Sequence, residues 1–347
     1  MPVPAAPAPF RLDVGGDPGI DALALAARAA EAEAAGFDGI GASETRHDPF
    51  LSLALAARET SRVELLSTIA VAFARTPMTV AQSAHDLQAI SGGRFLLGLG
   101  SQVRPHIERR FYMPWSRPAA RMAEFVRAVR AIWNTWQTGE PLRFRGEFYT
   151  HTLMTPFFAP PPLPSGPPPV WLAAVGERMT EVAGEVADGL HAHSFTTPRY
   201  LTEVSLPALA RGAERAGRDV ATIGVALPAF IAVGDDPSSL DAALRATRAQ
   251  IAFYGSTPAY RPVLEAHGWT DLHEQLHQAS RRGDWAAMGD LVPDDVLETF
   301  AAIGSATEVA RELRARFAGV VTRLSFSASY PIAPETTAAL VAGLRGA

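Results

Sequence analysis

Apolar positions along this chain follow two alternating rhythms, short runs and longer stretches at helical spacing. The runs predict strands at residues 10–14, 37–42, 63–73, 94–99, 170–174, 189–193, 223–233 and 320–326. The helical stretches fall at 20–35, 49–60, 77–90, 177–187, 198–216, 238–253, 307–317 and 334–344. Gly36 closes the first of these as a C-terminal cap, and Pro77 opens another where its missing N–H costs nothing. The clearest stripe begins at Arg117 and comprises Met122, Phe125, Val126, Val129, Ile132, Trp133 and Trp136.

Two stretches break the rhythm. LRFRGEFY alternates and turns at Gly146, which suits a small hairpin. FFAPPPLPSGPPP, residues 157–169, suits neither a helix nor a central strand. A polar, helix-like insertion runs from about 255 to 300. Eight strands, each followed by a helix, predict an α/β fold of the (β/α)8 TIM-barrel type with insertions. Periodicity leaves a doubly wound sheet open as the alternative. Residues 10–347 read as one barrel domain behind a flexible proline-rich lead at 1–9, with insertions near 101–116, 140–169 and 255–300.

Composition narrows the chemistry. With 347 residues, 48% of them apolar, the chain can bury a large core. Every basic residue is Arg, which removes lysine Schiff-base and P-loop chemistry. The net charge of -5 argues against a nucleic-acid surface. The absence of Cys removes disulfides, thiolate nucleophiles and thiolate-bound zinc. No apolar run approaches the ~20 residues that span a bilayer, and the N-terminus lacks a signal-peptide pattern. A cytoplasmic protein with no membrane or nucleic-acid partner is the expectation.

The stretch GLGSQ, residues 98–102, resembles the start of a dinucleotide loop. The third glycine of that fingerprint is Val103 here, and Pro105 biases Arg104 away from helix. At the C-terminal end of a barrel strand, Gly98 and Gly100 would instead clear space for a flat ligand.

Three segments carry a family resemblance: AEAAGFDGIGASE at 32–44, RTPMTVAQSAHDLQAISGGRFLLGLGSQ at 75–102, and VWLAAVGERMTEVAGEVADG at 170–189. On these the chain resembles the luciferase-like flavin and deazaflavin oxidoreductases. GSQVRPHIERRFYMPW, LMTPFF and IAFYGSTPAYR resemble the subgroup that uses coenzyme F420. The resemblance implies a TIM barrel with the cofactor ring at its C-terminal mouth. It implies a bulged third strand, often with a non-proline cis peptide, that backs the ring; here this falls on Ala70, Val71, Ala72 and Phe73. It implies phosphate contacts from Ala174, Val175, Gly176 and Glu177, and from Thr196 and Thr197. Helix starts suit anions, although Thr197 equally suits a plain helix cap. Family habit also implies a homodimer.

Two positions depart from the family pattern. Thr45 stands where a His is common, and Gln102 where a Glu is common. An amide does not exchange protons in this range, so Gln102 would orient a ligand. Glu44 becomes the acid/base candidate, against a structural role paired with Arg46 or capping the next helix. His47 is a second candidate proton carrier, since a free imidazole titrates near neutral pH, against an ordinary loop histidine. His106 sits beside Arg104, Glu108, Arg109 and Arg110; three arginines there suit an anionic tail or a solvated face. Phe111 and Trp115 either wall a pocket or pack the loop down.

The leading expectation is an F420-dependent oxidoreductase that transfers a hydride between the deazaflavin and a small organic substrate. An FMN-dependent luciferase-like monooxygenase is the alternative on the same fold. A cofactor-free barrel that serves as a binding protein is a further one. His273, Glu274 and His277 spell H-E-x-x-H, the literal zinc-hydrolase motif, but no third ligand pattern accompanies them. No metal is therefore expected.

Overall fold

The computed structural model describes residues 10–15 and 19–346; the lead read at 1–9 lies outside them. Its strands are β1 (Arg11–Val14), β2 (Gly39–Ala42), β3 (Glu64–Ser67), β4 (Ala70–Val71), β5 (Phe95–Gly100), β6 (Phe144–Arg145), β7 (Thr150–His151), β8 (Val170–Ala174), β9 (Gly189–Ala192), β10 (Gly224–Val233), β11 (Ala301–Gly304) and β12 (Arg323–Ser327). The chain divides into two compact units.

Among the described residues, one unit comprises 14–15, 19–191 and 208–223. Its sheet runs β2-β3-β5-β8-β9. Gly39–Ala42 pairs in parallel with Glu64–Ser67, and Leu97, Gly98 and Leu99 pair with Val170, Trp171 and Leu172. Strands β2 and β5 are buried along their whole length, as parallel strands covered on both faces must be. The covering helices start where the sequence supplies caps. Asp48 accepts the Phe50 N–H at 2.8 Å to open Pro49–Glu59, and Thr76 opens Pro77–Ile90 with a capping box. Helix Pro118–Thr138 buries all seven apolar positions of the predicted stripe, and Trp133 Nε1 donates to the Ala81 carbonyl at 3.0 Å. β6 and β7 form the hairpin expected around Gly146; the Glu124 carboxylate accepts the N–H groups of Glu147, Phe148 and Tyr149.

Among the described residues, the other unit comprises 10–13, 192–207 and 224–346. Here β12 lies between β10 and β1, all parallel. Arg323, on β12, is buried and grips Asp13 through two hydrogen bonds of 2.8 and 2.7 Å. The 255–300 insertion is helical, with Arg261–Glu265, Thr270–Arg282 and Asp294–Phe300. It closes a core that includes Phe195, Phe230, Leu264, Leu276, Met288 and Phe300. Taken in chain order, β1, β2, the split β3/β4, β5, β8, β9, β10 and β12 with their helices make the (β/α)8 TIM barrel.

Three expectations change. The run at 63–73 is not one strand: β3 and β4 are separate, and Ala72–Ala74 turns into a 3-10 helix. A short helix, Arg104–Arg109, opens at the pre-proline residue. Pro105 lies in its first turn, where an N–H would have no partner in the helix anyway, so the pre-proline bias gives way. β11 pairs its four residues with Phe230–Val233 of β10, a strand absent from the sequence reading. Among the described residues, no helix is long and apolar enough to cross a membrane.

Candidate active site

In the unit that holds β2 to β9, the chemistry gathers around a bulge. Leu66 pairs with Leu96, and Ala70 with Leu99. Four steps on the third strand thus match three on β5, which leaves one residue extra. The peptide Thr68–Ile69 is cis, two residues earlier than the stretch 70–73 on which the sequence reading placed it. The residues that follow β2 hold the bulge. Ser43 Oγ donates to the Thr68 carbonyl at 2.8 Å, Glu44 N to the Ile69 carbonyl at 3.1 Å, and Val71 N to Glu44 Oε2 at 2.7 Å.

The glycines of GLGSQ serve this bulge. Ser67 Oγ donates to the Gly98 carbonyl and accepts from Gly98 N, both at 2.8 Å. A β-carbon at Gly98 would lie 1.9 Å from the Ser67 carbonyl oxygen, and one at Gly100 would lie 2.7 Å from Ile69 Cδ1. The space at these two positions is therefore filled by the chain's own third strand. That corrects the expectation that both glycines clear room for a ligand ring.

Glu44 is tied down. Arg75 Nη1 donates to Glu44 Oε2 at 2.6 Å and Arg75 Nη2 to Asp48 Oδ2 at 2.7 Å. The Glu44 side chain is 8% exposed, so the pair is well shielded. Burial alone would lower the Arg75 pKa; the hydrogen bonds and charges of Glu44 and Asp48 outweigh it and hold it above the ordinary value. The partner is Arg75, not the Arg46 considered from sequence. The Glu44 carboxylate thus anchors the bulge and, through Arg75, is linked to Asp48 at the start of the next helix.

The other predicted residues are scattered. His47 and His106 are exposed. Gln102 adopts φ +58°, and its own Oε1 accepts from Val103 N at 3.0 Å. Arg104 pairs with Glu108 at 2.9 Å, and Arg110 lies over the Phe111 ring. Ala70, Val71, Ala72 and Phe73 are fully buried. Trp115 packs edge-on against Phe73 at 5.7 Å, which holds the loop down, and Arg121 lies over the Phe73 ring. Gly176 precedes helix Glu177–Val186, and a β-carbon there would meet nothing within 4 Å. Val175 lies between it and Ala174, the last residue of β8, and the Glu177 carboxylate turns to Arg211 at 2.7 Å.

In the other unit, Thr197 caps a helix by accepting Tyr200 N at 3.1 Å, and its hydroxyl also contacts His267 Nε2 at 2.8 Å. The Thr196 hydroxyl is buried with no hydrogen-bond partner among the described residues. Sequence reasoning missed a neighbouring cluster. His193, just past β9, is stacked on Tyr260 at 4.6 Å and meets Tyr254 edge-on at 4.7 Å. Burial pushes the His193 pKa down to about 4 and that of Tyr260 up to about 12. The signals available were a strand prediction that ends on His193 and the two tyrosines of IAFYGSTPAYR.

The sequence pattern of the luciferase-like monooxygenase family matches residues 7–323. The chain belongs to that family. An uncharacterized protein of Mycobacterium tuberculosis is 58% identical over 303 residues, 87% of this chain and 89% of that protein. A 5,10-methylenetetrahydromethanopterin reductase of Methanopyrus kandleri is 28% identical over 300 residues, 83% of this chain and 82% of the relative. A solved coenzyme F420-dependent tetrahydromethanopterin reductase from Methanopyrus kandleri superposes with a TM-score of 0.77 at 25% identity, covering 97% of this chain and 98% of that one. The F420 resemblance and the TIM barrel read from the sequence both stand.

The H-E-x-x-H segment has another use in this luciferase-like chain. His273 and His277 lie on helix Thr270–Arg282 with rings 5.9 Å apart. Their Nδ1 atoms meet the carbonyls of Gly255 and Ser256 at 2.8 and 3.0 Å, at the end of helix Pro237–Gly255. Among the described residues, no third His, Asp or Glu joins them in a metal-holding group. The motif ties one helix to the orphan carbonyls of another.

Proposed function

We propose that this luciferase-like protein is a coenzyme F420-dependent oxidoreductase that moves a hydride between the deazaflavin and a small organic substrate. The names of its relatives support this reading, since the reductase of Methanopyrus kandleri that shares its fold is F420-dependent. The observation that carries it is the one-residue bulge between β3 and β4, seated on Gly98 and Gly100 at the place where the resemblance puts the ring support.

The residues present fit the group. The open start of helix Glu177–Val186 at Gly176 offers backbone N–H groups to a phosphate. The buried, unpartnered hydroxyl of Thr196 suits an anionic oxygen, whereas that of Thr197 is committed to its cap. Ala70, Val71, Ala72 and Phe73 would back the ring. When bound, the deazaflavin supplies hydride acceptance or donation at its ring. The protein supplies orientation and a dry setting. Glu44 acts as an anchor for the bulge through Arg75, and His47, Gln102 and His106 take no proton-carrying role in this reading.

The family description favours a second reading, in which reduced FMN and oxygen are used. Fluorescence titration of the purified protein with F420 and FMN in parallel separates the two. Saturable binding of F420 alone is the expected result. Binding of FMN alone moves the assignment to oxygen chemistry. A homodimer in solution is also proposed; the exposed Leu23, Leu51 and Leu55 on the first two helices support it, and sedimentation equilibrium tests it.

A further inference from the structure

The direction of one hydrogen-bond chain is fixed by the geometry around His193. Phe195 N donates to His193 Nδ1 at 2.9 Å. That nitrogen therefore holds a lone pair, and the ring proton sits on Nε2. Nε2 lies 3.1 Å from the Tyr260 hydroxyl oxygen, so the imidazole donates and the tyrosine accepts. The hydroxyl hydrogen of Tyr260 must then point away from His193. Among the described residues no acceptor takes it, and the side chain is only half-buried.

We infer that Tyr260, oriented by His193, is a donor subsite for a neutral oxygen of the substrate, of carbonyl or alcohol type. The surroundings are aromatic. Phe195 lies 5.7 Å from the Tyr260 ring and Tyr254 meets it edge-on at 5.7 Å, so the subsite suits an oxygen carried on an apolar or aryl frame. The high pKa of Tyr260 keeps it protonated and able to donate throughout the neutral range. His193 acts as a positioning residue, with no contact to the ligand required of it. The inference rests on the oxidoreductase reading only in calling the ligand a substrate.

The test uses a matched pair of probes, acetophenone and ethylbenzene, titrated into the full-length protein without any coenzyme and followed by calorimetry. A single neutral hydrogen bond predicts that the wild type favours the ketone by about tenfold. Tyr260→Phe is expected to erase that preference while ethylbenzene binds as before. His193→Gln, whose amide can still donate to Tyr260, is expected to keep most of the preference, and His193→Ala to lose it. Circular dichroism confirms that each variant is folded. A wild type without preference, a preference that survives Tyr260→Phe, or no binding of either probe overturns the inference. Because coenzyme is absent, failure of the F420 assignment leaves the outcome readable on its own.

Discussion

Gly98 stands where the backbone of Ser67 passes: a β-carbon at 98 would lie 1.9 Å from the Ser67 carbonyl oxygen. At Gly100 the obstacle is the Ile69 side chain, Cδ1 at 2.7 Å and Cγ1 at 2.8 Å. A backbone carbonyl held in a sheet cannot step aside, whereas a side chain can shift to another rotamer. Gly98→Ala is therefore expected to cost about 3 kcal/mol or more, and Gly100→Ala about 1 kcal/mol. Urea unfolding of the two variants measures the difference. Equal losses would mean that the bulge is softer than drawn.

Arg75 links two acidic side chains, Glu44 at 2.6 Å and Asp48 at 2.7 Å. Removing it with Arg75→Met leaves a shielded carboxylate at Glu44 without its counter-charge. The expected loss is about 2–3 kcal/mol, toward the lower end for buried pairs because Arg75 is partly exposed. Glu44→Gln in the same background is expected to recover part of that loss. A double-mutant cycle gives the coupling. Coupling near zero would return Glu44 to the pool of free acid/base groups.

The fold is legible because its signal in the chain is periodic. Buried strands such as β5 read as unbroken apolar runs, and the stripe from Met122 to Trp136 marks one helix face. β11 was not legible: its four residues, Ala-Ala-Ile-Gly, follow helix Asp294–Phe300 without a turn signal, and only the pairing with β10 makes them a strand. The site was legible by position more than by role. Glu44 was found, but its partner Arg75 lies 31 residues away and has no spacing rule to announce it. His193 was passed over because its role depends on which nitrogen accepts from Phe195, and that is a matter of geometry.

His273 and His277 bridge to the carbonyls of Gly255 and Ser256. If this is their function, a chelator changes nothing. The midpoint of thermal unfolding is expected to be the same with and without excess EDTA, while His273→Ala lowers stability by about 1–2 kcal/mol through the lost hydrogen bond and packing. A chelator-induced fall in the midpoint that His273→Ala abolishes would restore the metal reading.

His193 makes stability depend on pH with a definite sign. Burial holds its folded pKa at about 4, against an ordinary 6.5. Between these values the unfolded chain binds the proton and the folded chain does not, so acidification favours unfolding. The contribution is complete above pH 6.5 and is lost as the pH falls toward the folded value, by roughly 3 kcal/mol in all. Tyr254 and Tyr260, the hydroxyl-bearing rings against the imidazole, stay protonated over this range and do not alter the sign. His193→Gln cannot titrate, so the stability difference between wild type and variant isolates this one group. That difference is expected to move against the wild type between pH 7.5 and pH 4 in urea unfolding. Parallel curves for the two proteins would show that the imidazole protonates freely in the folded state, and the burial penalty assigned to it would fail.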